Sequence, residues 1–418
     1  MLDAQAAAAY TILQTSAQSA GATFLAFLRP EDKPVKKRRS VALLIETSNE
    51  YARGLLRGIM AYIREHDPWS IHLPEQGRGD APPRWLAGWH GDGIIARIEN
   101  ERIARAVVRV GVPTVDVSAA RLVPGIPWVE TDDEAFAQAA AEHLIERGFR
   151  QFGFCGDPRF NWSKWRRRHF ERFVVQAGGT CHVYESTIDS DNQAPSSHEH
   201  RRLLAWVRQL PKPTGVLACY DIRAQQLLDI CREADIAVPE EVAVIGCDND
   251  EVLCNLAAPP LSSVIPNTHG SGYRAASLLD RMMNGESIGE TACLMPPFGI
   301  ATRQSTDVLA IDDPEVAGAV RFIREHACDG INVADLLSAV PLTRRVLESR
   351  FRRILGFTPH EMIAKTRTDR VKQLLTETDL PMPTIAERAG FRHVEYMSTA
   401  FKNRTGLSPQ QYRAKTRE

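Results

Sequence analysis

Near the C-terminus, basic residues fall in a frame that occurs twice. Phe351-Arg-Arg-Ile-Leu-Gly-Phe-Thr-Pro-His-Glu is matched fifty residues on by Phe401-Lys-Asn-Arg-Thr-Gly-Leu-Ser-Pro-Gln-Gln. Phe351 aligns with Phe401, Arg352 with Lys402, Gly356 with Gly406, Thr358 with Ser408 and Pro359 with Pro409. Cationic side chains on short helices bind phosphate, and this sets position rather than sequence preference. Arg344, Arg345, Arg352, Lys402 and Arg404 are candidates for that role. Glu348 and Glu395 could accept a hydrogen bond from cytosine N4. Glu348 has a second reading as an i,i+4 partner of Arg352. Far upstream, Asp221 and Asp248 each follow an apolar run. Two such carboxylates could serve acid–base chemistry.

The repeated frame implies one structural unit used twice. Gly356 and Gly406 each stop a helix, because glycine takes the left-handed conformation at low cost. Thr358-Pro359-x-Glu361 and Ser408-Pro409-x-Gln411 then open new helices, each with a hydroxyl cap, proline in the first turn and a side chain reaching back. Before each glycine lies a short helix with Val346, Leu347, Phe351 and Ile354, or Tyr396, Met397, Ala400 and Phe401, on its apolar face. Thr384 to Phe391 reads as the preceding helix and turn of the second copy, with a Thr384/Glu387 capping box and Gly390 at the turn. This is a helix-turn-helix pattern, whose second helix can enter a major groove. Residues 361–377 form a connecting helix roughly 25 Å long. Such a spacer could hold two reading helices about one DNA turn, roughly 34 Å, apart.

Charge agrees. Residues 314–418 carry 18 Lys+Arg against 12 Asp+Glu, a net of +6, in a chain whose formal charge is −1. A basic module on an acidic body suits phosphate binding.

This segment resembles the AraC family of transcription regulators from about Pro314 onward, including the closing Gly406-Leu-Ser-Pro409-Gln-Gln-Tyr412-Arg413. The resemblance implies base-contacting roles for Arg345, Glu348 and Ser349 in the first unit, and for Val394, Glu395, Ser398 and Thr399 in the second. The first unit departs from the family pattern at Leu337 and at Pro341. A proline there fixes its own φ and lacks a donor, which would alter the entry angle of the first reading helix.

The other three-quarters of the chain has a different texture. At 418 residues, 44% apolar and 25% charged, the chain is long enough for several globular cores. No window has eighteen uninterrupted apolar residues, so no membrane span is expected. The first twenty residues lack a basic start, so export is not expected, and the eight cysteines show no CxxC or metal spacing. The cytoplasm is the expected compartment, with no metal and no cofactor. Residues 1–38 read as an Ala-rich then basic extension, disordered in part. From residue 40 on, apolar runs (41–45, 69–73, 93–98, 112–117, 151–155, 215–220, 242–247) alternate with amphipathic helices such as 51–65 and 102–110. That alternation predicts parallel sheets covered on both faces. Ligands of such sheets bind at the carboxyl ends of strands. No glycine-rich phosphate loop stands in the required context.

Three phrases add a second resemblance. They are Gly91-Asp92-Gly93-Ile94-Ile95, Thr131-Asp132-Asp133-Glu134 leading to Gly148, and Val244-Ile245-Gly246-Cys247-Asp248-Asn249 with Leu261-Ser262-Ser263-Val264. Residues 39–305 resemble the LacI/ribose-binding type of two-lobed sugar sensor, without that family's N-terminal headpiece. The implied fold is an α/β periplasmic-binding-protein-like domain of two doubly wound parallel sheets. A linker, 306–313, then leads to an all-α double helix-turn-helix domain, 314–418. The pairing of the two modules resembles the xylose-operon regulator group. It implies a sugar effector, a pentose such as xylose, together with double-stranded DNA as partner, a homodimer and, with activation, contact with RNA polymerase. The resemblance also implies effector roles for Asp248 and Arg166. Asp221 ends its strand as Asp248 does, with capping of the following helix as its other reading. Asn49 and Tyr51 follow the first strand, and Trp162 and Trp165 could stack on a sugar ring. Two functions follow: a sugar-controlled transcription regulator, or a sugar-acting enzyme with a DNA-binding appendage. The second lacks a nucleophile motif or metal cluster.

Overall fold

The structure is a computed structural model that describes residues 38–78, 80–186, 197–307, 311 and 313–417. The expected N-terminal extension lies outside these residues except for Arg38. The described strands of the first half are β1 Ser40–Leu44, β2 Ser70–His72, β3 Gly93–Ala96, β4 Thr114–Asp116, β5 Trp128–Thr131 and β6 Gln151–Gly156. Those of the second are β7 Thr180–Glu185, β8 Thr214–Ala218, β9 Val242–Cys247, β10 Ser262–Ile265, β11 Ala292–Met295 and β12 Gly299–Ala301.

They form two six-stranded sheets, ordered β11-β5-β4-β3-β1-β2 and β12-β10-β9-β8-β6-β7. Every pairing is parallel except β10–β12, which is antiparallel. The expected parallel sheets are present, and the single antiparallel pairing sits at one edge, where β12 follows the tight connection 296–298.

Burial on both faces explains the unbroken apolar runs: β8 and β9 are buried along their whole lengths. In the first lobe Leu55 and Ile59 of helix Glu50–Glu65 pack with Leu278 and Leu279 of helix Thr268–Met283 over Val41 and Leu43. Each such side chain contributes about 1.5–3 kcal/mol on burial. In the second lobe Phe136, Leu144, Phe152, Phe154 and Phe170 close one face of the sheet.

The expected linker starts too early. Thr306 is fully buried in the second lobe, where its hydroxyl lies 2.8 Å from His143 Nε2 and donates to Ser262 Oγ at 2.7 Å. Residues 308–310 and 312 lie outside the description.

The C-terminal module is helical throughout, over Pro314–His326, Val333–Ala339, Arg344–Leu355, Pro359–Glu377, Met382–Arg388, Val394–Thr405 and Pro409–Arg417. Gly356 and Gly406 end the third and sixth of these with φ of 79° and 77°. Thr358 and Glu361 form the expected reciprocal cap, and Ser408 and Gln411 repeat it. The Thr384/Glu387 box does not form. That helix begins earlier, after Pro381, so Thr384 already lies within its first turn. The module has two cores. Met362 and Ile363 join Leu347 and Phe351 in one, while Val371, Leu374 and Leu375 join Met397 and Phe401 in the other. One 19-residue helix, roughly 28 Å long, thus belongs to both.

Candidate functional site

The carboxyl ends of the two sheets face each other across a cleft. Tyr51, Arg78, Arg97, Val117, Ser118, Glu130 and Thr131 line it from the first lobe, and Trp162, Arg166 and Asp248 from the second. The space between them, its open mouth included, is about 400 Å3.

Strand ends position most of these groups. Asp248 follows β9 in the left-handed region, φ 104°, and its amide donates to Val264 O at 3.2 Å. Burial raises its pKa, while Arg166 of its own lobe and Arg78 and Arg97 of the other favour the charged form. Arg166 is buried on helix Asn161–Gln176. It donates through Nε to Asp133 Oδ1 at 2.7 Å and through Nη1 to Cys219 O at 2.7 Å. Arg97, one residue past β3, is paired with Glu46 at 2.9 Å and with Glu99. Burial opposes the charge on Arg97, but the two glutamates outweigh it and raise its pKa. Its guanidinium lies 5.2 Å from the Tyr51 ring. Burial is also the main reason why the Glu130 carboxyl is pushed up to about 7 and that of Asp133 to about 6, against the pull of Arg121 and Arg166 respectively.

Three buried polar atoms around this cleft have no hydrogen-bond partner among the described residues: Arg97 Nε, Glu130 Oε2 and Asp133 Oδ2. Buried polar atoms are ordinarily paired. Three arginines, two carboxylates, hydroxyls and the Trp162 face in one cleft can hold a small, uncharged, hydroxyl-rich molecule.

The structure brings together Asp248, Arg166, Tyr51 and Trp162, but separates the other residues expected with them. Asn49 caps its helix, accepting from Ala52 N at 2.9 Å, and does not line the cleft. Asp221 neither lines the cleft nor caps its helix. Its carboxylate accepts from Ser263 Oγ at 2.6 Å and from Asp250 N at 2.8 Å, which braces the loop that carries Asp248. Acid–base work by Asp221 and Asp248 as a pair has no geometric basis, since both Asp221 oxygens are engaged there. Trp165 lies outside the cleft, its ring 4.7 Å from the Arg121 guanidinium. Arg97, Arg78 and Glu130 were not expected. The signal available for Arg97 and Glu130 was a charge at or near the end of an otherwise apolar run. Among the described residues, no group of three or more His, Cys, Asp or Glu is placed to hold a metal ion.

At the other end of the chain, Arg344, Arg345, Glu348, Ser349 and Arg352 line one shallow concavity on helix Arg344–Leu355. Glu348 pairs with Arg344 at 2.9 Å, not with Arg352. On helix Val394–Thr405, Glu395, Thr399, Lys402 and Arg404 are exposed and Ser398 is half-buried. Arg404 also donates to Glu361 O at 3.4 Å. Val394 is half-buried and packs against the Met397 and Phe401 core. Tyr396, 63% exposed, faces outward.

A two-lobed periplasmic-binding-protein-like sensor carrying a double helix-turn-helix reader defines a ligand-controlled, DNA-binding transcription regulator. Known proteins agree. Residues 40–134 match the family described as XylR N-terminal domain, residues 141–306 a periplasmic binding protein-like domain, and residues 336–415 a helix-turn-helix domain. The xylose operon regulatory protein of Escherichia coli K12 is 33% identical over 387 residues, covering 90% of this chain and 97% of that protein. The protein of the same name from Haemophilus influenzae is 32% identical, covering 89% and 97%. A solved structure described as the xylose-binding transcription activator xylR superposes with a TM-score of 0.78 at 32% identity, covering 91% of this chain and 98% of that one. The chain belongs to the family of xylose operon regulatory proteins.

No described helix is long and apolar enough to cross a membrane.

Proposed function

We propose that the chain binds a pentose, D-xylose first among candidates, in the cleft between its lobes, and that occupancy changes how its paired reading helices engage operator DNA. The observation that carries this is the cleft itself. Both lobes contribute to it, and Arg97 Nε, Glu130 Oε2 and Asp133 Oδ2 are left unsatisfied around it. Asp248 and Glu130 would accept from sugar hydroxyls, Arg97 and Arg166 would donate, and Trp162 would cover a C–H face. The names of the relatives point to xylose. A ligand that touches both lobes favours the closed arrangement by its difference in affinity for the two states.

In the DNA-binding module, Arg345, Glu348 and Ser349 of the first unit and Glu395, Tyr396, Ser398 and Thr399 of the second are the proposed base-facing residues. Arg344, Arg352, Lys402 and Arg404 would hold phosphates. The chain acts in the cytoplasm as a homodimer that activates transcription by contacting RNA polymerase. The sensor spans residues 39–306 and the reader 314–418.

Calorimetric titration of the full chain with D-xylose, L-arabinose, D-ribose and D-glucose tests the effector. Binding should be selective for D-xylose and the sugar recovered unchanged. Chemical turnover, or no binding by any pentose, defeats the proposal.

A further inference from the structure

Two straight elements of the second lobe span it from the cleft to the reader. β9 has Asp248 just past one end and Glu240 two residues before the other, and its six residues extend about 20 Å. Helix Asp133–Glu146 has Asp133, held by Arg166, at one end, and His143 and Arg147 at the other. Fourteen residues make it about 21 Å long.

The far ends of both elements meet the start of the reader. His143 lies against the Thr306 hydroxyl, and Arg147 Nε donates to Thr306 O at 2.7 Å. Ser305, fully buried, donates from Oγ to Val244 O, within β9, at 2.6 Å. Glu240 is buried and forms an ion pair with Arg324 Nε at 3.2 Å. Arg324 stands on the first helix of the reader. The same guanidinium donates to Gln304 O at 3.4 Å and to Asp307 O. One side chain thus ties the reader's first helix both to the β9 approach and to the segment that leads out of the lobe.

On either side of Arg324 the two modules stand apart. One groove runs between Asn255 and Arg303 of the lobe and Leu355, Lys365 and Arg370 of the reader. The other runs between Arg232 and Pro259 of the lobe and Arg321 of the reader. Arg324 lines both grooves, so it forms a pillar between them.

We infer that Arg324 is a positioning residue that makes the second lobe and the reader move as one body, so that closure of the cleft re-aims the reading helices. This rests on the proposal that a sugar closes the cleft. It adds the part through which that closure reaches DNA. Arg324 touches neither the cleft nor the reading faces, so its loss should leave each binding event in place and remove the link between them. In thermodynamic terms the coupling between two sites falls while their separate affinities persist.

The test uses the full chain and Arg324→Met, with Glu240→Gln and Arg324→Lys beside it. Affinity for operator DNA is measured with and without saturating D-xylose, and D-xylose affinity by calorimetry. In Arg324→Met the ratio of DNA affinities with and without sugar should fall at least fivefold toward one. D-xylose affinity and sugar-free DNA affinity should stay within about twofold of the parent. Glu240→Gln should behave alike, and Arg324→Lys should keep part of the ratio. An unchanged ratio in Arg324→Met overturns the inference. Hydrogen exchange without sugar decides it even if D-xylose is not the effector. Amides of residues 304–307 and 314–326 should exchange about tenfold faster in Arg324→Met, with residues 371–401 unaffected. Exchange equal to the parent's overturns the inference independently of any sugar.

Discussion

Glu130 sets stability against binding. It is 3% exposed, bonded to Arg121 through one oxygen and unsatisfied at the other. Burial, opposed by Arg121, lifts its carboxyl from 4.5 to about 7. A displacement of that size corresponds to ~3 kcal/mol of differential interaction between its protonation states. The folded chain holds this proton to higher pH than the unfolded chain does. The associated stability is therefore present below pH 4.5 and lost as pH rises toward 7.

Glu130→Gln removes the ionisation while keeping an amide oxygen for Arg121. The exposed Arg121 loses an ion pair worth up to ~1 kcal/mol. The variant should match the parent near pH 4.5 and be more stable by about 2 kcal/mol at pH 8, a net of the two effects. The sensor's melting midpoint should then rise at pH 8 by roughly 2–4 °C per kcal/mol. D-xylose affinity should move the other way. Losing a charge-assisted hydrogen bond of about 1.5–3 kcal/mol weakens binding roughly tenfold to a hundredfold. Melting curves across pH 4.5–8 and calorimetry at pH 8 read both effects. A variant less stable than the parent at pH 8, or one with parental sugar affinity, would refute the reasoning.

Other substitutions separate the remaining roles. Asp248→Ala should abolish the D-xylose response in calorimetry and leave basal DNA affinity largely intact. In binding-site selection, Arg345→Ala and Glu395→Ala should alter operator preference. Arg352→Ala should weaken all sequences alike and lower the salt slope by about one. Phe351→Ala and Phe401→Ala should each cost about 3–5 kcal/mol, and hydrogen exchange should show only the unit carrying the change loosening, because the two cores are separate. At Gly390, φ is 75° and a Cβ would lie 2.7 Å from Cys328 O, so Gly390→Ala should lower the reader's melting point.

Much of this architecture was legible because it follows from period and punctuation. Gly356 and Gly406, with the Thr358 and Ser408 caps, mark the reading units in the sequence itself. β8 and β9 announced themselves as short unbroken apolar runs. What failed depended on where a side chain points in three dimensions. Asn49 and Asp221 have the right chemistry after strands, yet the Ala52 amide claims the first, and the Ser263 hydroxyl and Asp250 amide claim the second. Val394 sits at a matched position, but the core covers part of it, while Tyr396 faces out. Glu130 lies in a four-residue strand, too short for its alternation to reveal that it lines a cleft. Arg78 comes from an irregular loop, where no periodicity fixes direction.

The first lobe is discontinuous along the chain. Its sheet uses β1 to β5 and then β11, and helix Thr268–Met283 covers it, after the whole run from β6 to β10 has gone into the other lobe. During synthesis, Leu55 and Ile59 must therefore wait for Leu278 and Leu279, more than two hundred residues later. The second lobe gains five of its six strands before that covering helix is made, and the reader follows the sensor out of the ribosome. A nascent chain acquires its DNA-reading helices only after both halves of its sensor have been made. Ribosome stalling between residues 133 and 267 would leave a half-covered apolar sheet, a substrate for chaperones or aggregation.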